Sequence, residues 1–276
     1  MRHWNATLMT RVMLTLTLVV SAFPLYWMIV IASRTNADAV AVPPPFLPGG
    51  NLGDNIVKVL QNEDAHFLDG LINSAIVAST VTVSVVLIST LAGFAFARLT
   101  FKGRRFLLVA ILLTMMVPLQ QMGVVPLYRL MVNLEWTGTL KAVILPYLLN
   151  GFGVFLMTQY TAQAVPHELV EASRVDGAST LRIWWNIILP AVRPGMAVLG
   201  INTFMLLWND FMWPLIVLTP DNPTVQIAIT SLNQRFSTNY TLIFAGTALS
   251  IIPLILVFIA FGRQIVGGIM EGAVKA

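Results

Sequence analysis

Six long stretches of the chain consist almost entirely of apolar residues, and polar and charged residues gather between them. A helix needs about 20 apolar residues to cross the ~30 Å hydrocarbon core of a bilayer. Only Asp210 places a formal charge inside one of these stretches. The pattern predicts an all-α integral membrane protein, with residues 1–276 forming a single transmembrane domain. Its six transmembrane helices are predicted at 12–32, 71–97, 106–128, 142–163, 194–219 and 240–262.

The first apolar stretch allows two interpretations. Arg2 and Arg11 precede it, as basic residues precede the apolar core of a cleaved signal peptide. Such a core is usually about 7–15 residues long and ends at a small-residue cleavage site. The stretch here is longer and is closed by Ile31-Ala32-Ser33-Arg34. We therefore predict a span that is retained.

The placement of lysine and arginine predicts the orientation, because cytoplasmic loops of membrane proteins are enriched in both. With the N-terminus inside, eleven of the 16 such residues fall in inner segments and five in outer ones. The inner set is Arg2, Arg11, Arg98, Lys102, Arg104, Arg105, Arg174, Arg182, Arg193, Arg263 and Lys275, and the outer set is Arg34, Lys58, Arg129, Lys141 and Arg235. Both termini are predicted to be cytoplasmic, with an outer loop at 33–70 and a cytoplasmic tail at 263–276.

Composition agrees with a membrane location. The chain of 276 residues is 57% hydrophobic and only 10% charged, whereas soluble domains carry about 25% charged residues. The net charge of +4 reflects the lysine and arginine residues that are enriched in the predicted inner segments, and no nucleic-acid motif accompanies it. We therefore predict membrane lipid, and not nucleic acid, as a partner. The chain has no cysteine and three scattered histidines, so no metal site is predicted.

The segment 166–190 between the fourth and fifth predicted spans has the pattern of a helix, a turn and a second helix. Pro166 suits a first helical turn, and Glu168 and Glu171 follow where acidic side chains favour the positive end of the helix dipole. Gly177 is the residue type that ends helices in a left-handed conformation. We predict a short helix that ends at this glycine.

The second helix of this segment is predicted to begin at Ser179 or Thr180, either of which can cap it, and to stop near Pro190. Exposed acids on a short inner helix suit insertion into a cleft of a soluble partner, which would carry motion into the spans. The alternative is a connector whose polar residues are merely solvated.

The same segment resembles the EAA loop of binding-protein-dependent ABC permeases. That family's pattern is Glu-Ala-Ala, then a glycine after a short gap, then an isoleucine-containing segment that ends in Leu-Pro. Here it reads Glu171-Ala172-Ser173, Gly177 and Ile188-Leu189-Pro190, with serine in place of the second alanine.

Further segments are similar to one branch of the family, the second, MalG-like permease subunit of sugar importers. They are Asn73-Ser74, the run 92–98, the segments 208–211 and 213–215, and the tail 267–275. The resemblance covers the whole chain in matching order. It implies a permease subunit in the bacterial cytoplasmic membrane that imports a sugar, either a di- or an oligosaccharide.

The resemblance also implies partners and residue roles. A second permease subunit would complete the path, two ATPase subunits would bind ATP and Mg²⁺, and an extracytoplasmic binding protein would deliver the solute. The residues expected to couple to an ATPase subunit are Glu168, Glu171, Ala172, Ser173, Asp176 and Gly177. A tail contact with the ATPase subunits is expected at Glu271 and Gly272, and a contact with the binding protein at Asn222, Gln226, Asn233 and Gln234. A disordered terminus and a plain polar loop are the respective alternatives.

Asn150, Trp208, Asn209 and Asp210 are candidates for lining a translocation path, since amides match sugar hydroxyls and aromatic faces stack on sugar rings. An acid inside a span is a functional candidate by default. Asp210 lies 16 residues after Pro194, or roughly 24 Å along a helix, which is close to the predicted outer interface. We expect Asp210 either to have a structural or gating role or to contact the solute.

Other function classes fit less of the sequence. An ABC permease for a non-sugar solute, such as a phosphate ester, is the nearest alternative. An ion-coupled carrier would be expected to show inverted repeats and intramembrane ion ligands, and a membrane enzyme would need a reactive cluster. The chain lacks the Gly-x-x-x-x-Gly-Lys-Ser/Thr loop that cradles nucleotide phosphates. We therefore expect no catalysis and no bound cofactor in this chain.

Overall fold

The computed structural model describes residues 7–116, 123–233 and 238–273, with side chains described up to residue 262. All regular secondary structure in these ranges is helical, which confirms the all-α prediction for them. The helices are α1 (Leu8–Ala32), α2 (Asn36–Ala39), α3 (Leu52–Leu60), α4 (Phe67–Arg98), α5 (Arg104–Met116), α6 (Val124–Asn133), α7 (Leu140–Ile144), α8 (Gly151–Ala164), α9 (His167–Val175), α10 (Thr180–Ala191), α11 (Arg193–Trp208), α12 (Met212–Val217), α13 (Val225–Ser231) and α14 (Tyr240–Ala273).

Three of these helices, α1, α4 and α14, are by themselves long and apolar enough to cross a membrane. They coincide with the predicted spans at 12–32, 71–97 and 240–262. Two pairs of shorter helices, each bent at a break, would raise the number of candidate spans to five. In the predicted third span, α5 has only 13 residues, and residues 117–122 lie outside the described ranges. The count of six spans therefore stays a prediction.

The predicted fourth span is broken near its middle. A helix over Leu140–Tyr147, whose last turn is a tight 3₁₀ turn that contains Pro146, meets α8 at 41°. The new helix is capped by Asn150, whose Oδ1 accepts a hydrogen bond of 2.6 Å from the backbone N–H of Gly153. This cap satisfies one of the donors that every helix leaves unpaired at its N-terminus.

The predicted fifth span is also broken. Helix α11 ends at Trp208 and α12 begins at Met212. At the break, the side-chain amide of Asn209 donates a hydrogen bond of 2.8 Å to the carbonyl of Met205. At its other end α11 turns by 79° from α10. The apolar stretch within 183–192, too short to span a bilayer, therefore runs at a steep angle to the helix that follows it.

The described chain divides into two compact units, one formed by 1–68 with 228–252 and the other by 69–227 with 253–276. In the first unit, buried Asn55 ties α3 to the end of α1 by donating to the carbonyls of Ala32 at 2.8 Å and Arg34 at 2.9 Å. The side-chain amide of Asn55 thus ties the predicted outer loop to the end of α1.

The second unit contains a close approach between α4 and α8. A Cβ atom built on Gly93 would lie 2.6 Å from the backbone of Met157, so only glycine fits at this crossing. Around it lies a buried apolar cluster, which consists of Val81, Val85, Phe94, Met157, Val165, Val170, Ile183, Ile188, Val192 and Leu199. This cluster joins the long helices to the segment 166–190.

Candidate functional site

Helix α9 ends in the manner that its sequence predicts. Gly177 has a φ of +80°, which an L side chain rarely adopts. The N–H of Ala178 donates to the carbonyl of Ser173 at 2.9 Å, and the N–H of Gly177 donates to the carbonyl of Arg174 at 3.0 Å. This pair of bonds is the Schellman motif, which satisfies carbonyls that the helix end would leave unpaired.

The predicted coupling residues divide between two faces of this segment. Glu168, Glu171, Ala172, Asp176 and Gly177 are exposed. Ser173 is only 9% exposed, and its hydroxyl donates a hydrogen bond of 2.6 Å to the carbonyl of Leu169. The serine that replaces the second alanine of the motif therefore packs inward with its polar atom paired within the helix.

Apolar side chains that the sequence did not single out share the exposed surface. Val175 is 88% exposed, Leu181 is 67% exposed and Trp185 is 64% exposed. On α9 the buried stripe runs through Val170 and Ser173. Val175 is apolar but lies off this stripe, and this position could have identified it in the sequence as an exposed apolar residue. Exposed apolar residues beside acidic ones are typical of a surface that a partner covers.

Helix α10 begins at a cap and contains a wide turn. The hydroxyl of Ser179 accepts a hydrogen bond of 3.3 Å from the N–H of Arg182, so Ser179 and not Thr180 is the cap. The turn Trp184–Ile188 is a π-helix in which the N–H of Leu189 donates to the carbonyl of Trp184. Pro190, which has no N–H, follows directly and is accommodated in the last turn.

The segment 166–190 is anchored to the long helices through its buried side. Val170, Ile183 and Ile188 belong to the same apolar cluster as Phe94 of α4 and Met157 of α8. Because packed interiors transmit displacement instead of absorbing it, a force on the exposed face of α9 would reach α4 and α8.

Arg98 adds a polar link at the same end of the unit. Its guanidinium donates a hydrogen bond of 2.6 Å to the carbonyl of Ala162, in the last turn of α8. A cation is favoured at the negative end of a helix. The C-terminal ends of α4 and α8 are thereby joined just before α9 begins.

The residues predicted for the binding-protein contact have varied environments. The amide of Asn222 donates to the carbonyl of Gly138 at 2.9 Å and accepts from the amide of Asn73 at 2.8 Å. The amide of Gln226 donates to the carbonyl of Trp208 at 3.3 Å. Asn233 is exposed. Gln234 lies outside the described residues. Glu271 and Gly272 belong to α14 by their backbone, and the side chain of Glu271 is outside the described part of the structure.

Three of the four predicted path residues lie together at the break in the fifth span. Trp208 is buried and stacks on Phe204, with ring centroids 5.6 Å apart. The carboxylate of Asp210 accepts hydrogen bonds from the hydroxyl of Tyr147 and from backbone N–H groups. Its Oδ2 is buried and has no partner among the described atoms. Since Tyr147 ends the first half of the fourth span, this contact joins the two helix breaks.

Asn150 belongs to the other break, where its side chain serves as a helix cap. Its oxygen is therefore already occupied by a backbone donor in this structure. The arrangement brings Trp208, Asn209 and Asp210 to one break and leaves Asn150 at the other.

Sequence comparison identifies relatives along nearly the whole chain. The family described as "Binding-protein-dependent transport system inner membrane component" matches residues 85–269. An arabinooligosaccharides transport system permease of Halalkalibacterium halodurans is 32% identical, over 93% of this chain and 92% of its own length. A lactose transport system permease of Rhizobium radiobacter is 35% identical, over 95% of this chain and 94% of its own length.

A third relative is named for a different solute. The sn-glycerol-3-phosphate transport system permease of Escherichia coli is 29% identical, over 98% of both chains. Among solved structures, a chain from a bacterial ABC transporter involved in the import of the acidic polysaccharide alginate shares the fold. The TM-score is 0.80 over 93% of this chain and 95% of that chain, at 19% identity. This chain therefore belongs to the family of inner-membrane components of binding-protein-dependent transport systems.

Proposed function

We propose that this chain is a permease subunit of an ATP-driven bacterial sugar importer. Together with a second permease subunit it forms the path for a di- or oligosaccharide, which an extracytoplasmic binding protein delivers. Two relatives that match this chain nearly end to end are named as permeases for arabinooligosaccharides and for lactose. The carbohydrate assignment rests on the solutes named for these two relatives.

In this proposal the exposed face of α9 docks on a partner ATPase subunit, which binds ATP and Mg²⁺. The observation that supports the docking is the contrast between the two faces of α9. Glu168 and Glu171 are exposed, while Val170 and Ser173 are buried. A helix with one face exposed and the other packed into the core of the spans suits transmission of ATPase motion.

The proposed topology has six spans, with both termini and α9 in the cytoplasm. The distribution of lysine and arginine supports it. The tail residues Glu271 and Gly272 then lie on the ATPase side, and Asn222, Gln226, Asn233 and Gln234 lie on the side of the binding protein. Asn150, Trp208, Asn209 and Asp210 lie along the proposed path.

The decisive experiment identifies the solute through the binding protein that works with this permease. The complex is purified through a tag on this chain and placed in nanodiscs, and each candidate binding protein is titrated with lactose, arabinooligosaccharides and sn-glycerol-3-phosphate. We expect ATPase activity to rise with a sugar-loaded binding protein. Stimulation by sn-glycerol-3-phosphate alone would contradict the carbohydrate assignment and favour a phosphate-ester permease.

A further inference from the structure

A cluster of paired polar groups joins four segments of the second compact unit. It consists of the side chains of Asn73, Ser74 and Asn222 and the backbone of Gly138, Pro223 and Val225, and we call it the Asn73 cluster. Asn73 and Ser74 lie near the start of α4, and the residue pairs they form are separated by 149 to 151 positions in the chain.

The bonds of the cluster all converge on the segment 222–225. The amide of Asn73 donates to Oδ1 of Asn222 and to the carbonyl of Pro223, both at 2.8 Å. The hydroxyl of Ser74 accepts from the N–H of Val225 at 2.8 Å. Both hydrogens of one side-chain amide are thus used to hold a segment that precedes α13.

Asn222 extends the connection to a further loop. Its amide donates to the carbonyl of Gly138 at 2.9 Å, and the N–H of Gly138 donates to the carbonyl of Val217, at the end of α12, at 2.7 Å. The start of α4, the loop before α7, the end of α12 and the segment 222–225 therefore form one hydrogen-bonded group.

Two of the side chains in the Asn73 cluster are buried, so the loss of their hydrogen bonds would be costly. Asn73 is 9% exposed and Ser74 is 2% exposed. A buried polar group that loses its partner bears the full cost of its removal from water, so the native shape of 222–225 is strongly preferred while Asn73 and Ser74 are present. The same segment leads from exposed Thr219, Pro220 and Asp221 into buried α13.

We propose that Asn73 is a positioning residue that holds the segment 219–225 in the shape on which the extracytoplasmic binding protein docks. The inference rests on the proposed function, which puts this segment on the outer side. Asn73 itself is buried and makes no contact with the partner. It acts through Asn222 and Pro223, so its loss weakens docking without touching the docking surface or the ATPase side.

The test is Asn73→Asp, which keeps the size of the side chain but replaces the donating amide by an acceptor. The purified complex is titrated with sugar-loaded binding protein. We expect the half-saturating concentration for ATPase stimulation to rise about tenfold, as two buried hydrogen bonds are lost. ATPase activity without binding protein stays at the wild-type level. Asn133→Asp, the same change at an exposed position, is the matched control and leaves both values unchanged.

Ser74→Ala is the second variant, because it removes a single oxygen and carries the test if Asn73→Asp fails to assemble. It should raise the half-saturating concentration about fivefold, and it should speed hydrogen–deuterium exchange in peptides that cover 219–231. Unchanged half-saturation in the assembled variants would overturn the inference. An equal loss of assembly and basal activity in both variants would show a purely structural role and overturn it as well. A wild-type complex that no sugar-loaded binding protein stimulates would instead contradict the proposed function.

Discussion

Glu171 and Ser173 stand two positions apart in the same motif and have opposite environments. Glu171 is exposed, whereas Ser173 is buried and donates its hydroxyl to a carbonyl one turn earlier. In a helix, positions two apart point to different sides. The glutamate is therefore available to a partner, and the serine holds α9 against the core.

Replacing Glu171 tests the docking role directly. Glu171→Lys reverses the charge on the exposed face, and a like charge placed against a surface that complements the glutamate costs several kcal/mol. We expect solute-stimulated ATPase activity and uptake to fall by roughly tenfold or more, while the chain still inserts in the membrane.

The matched control is Glu63→Lys, the same change at an exposed position in the predicted outer loop. It should leave uptake and ATPase stimulation at the wild-type level. Normal stimulation and uptake with Glu171→Lys would refute the docking of α9 on an ATPase subunit.

Helices α4 and α8 show how elements of this family member are joined. They approach so closely at Gly93 that a methyl group there would overlap the backbone of Met157. At their ends, Arg98 binds the last turn of α8. The close crossing at Gly93 and the charge-assisted bond at Arg98 together join the C-terminal part of α4 to α8.

Arg98→Gln should loosen this end of the pair. Hydrogen bonds to charged groups contribute about 1.5–3 kcal/mol, and a loss of this size lowers the midpoint of thermal unfolding by several degrees. Thermal unfolding of the purified complex measures the change.

Arg105→Gln provides the comparison, since Arg105 is exposed in α5. Its midpoint should equal that of the wild type. If Arg98→Gln unfolds at the wild-type temperature too, the bond to Ala162 does not hold the two helices together.

The topology of the whole molecule can be read from cysteine accessibility, because the chain contains no cysteine. Lys102→Cys lies in a predicted inner loop and Thr137→Cys in a predicted outer one, and both positions are exposed. With six spans and cytoplasmic termini, a membrane-impermeant maleimide added to spheroplasts should label position 137 and leave position 102 unlabelled until the membrane is opened. Labelling of position 102 from outside would contradict the proposed topology and indicate the opposite orientation.

The sequence determined those features that depend on nearby residues. Apolar length defines α1, α4 and α14 because the bilayer core has a fixed thickness. The turn at Gly177 follows from the conformational freedom of glycine, and a cap at Ser179 or Thr180 follows from the reach of a hydroxyl to a backbone N–H two to three residues ahead. The segment around Glu171 and Gly177 also identified the family.

Only the tertiary structure decided features that depend on distant residues. The breaks at Asn150 and Asp210 interrupt stretches that are long and mostly apolar in sequence, and the hydrogen bond from Tyr147 to Asp210 joins them across the fold. The contact of Asn222 with the binding protein stays a prediction, and the structure adds that its side-chain oxygen accepts a hydrogen bond from the amide of Asn73, 149 positions away. The sequence around a polar loop residue looks the same whether its side chain faces solvent or a buried partner. The residue type sets which hydrogen bonds the side chain can form, but the fold decides which group it meets.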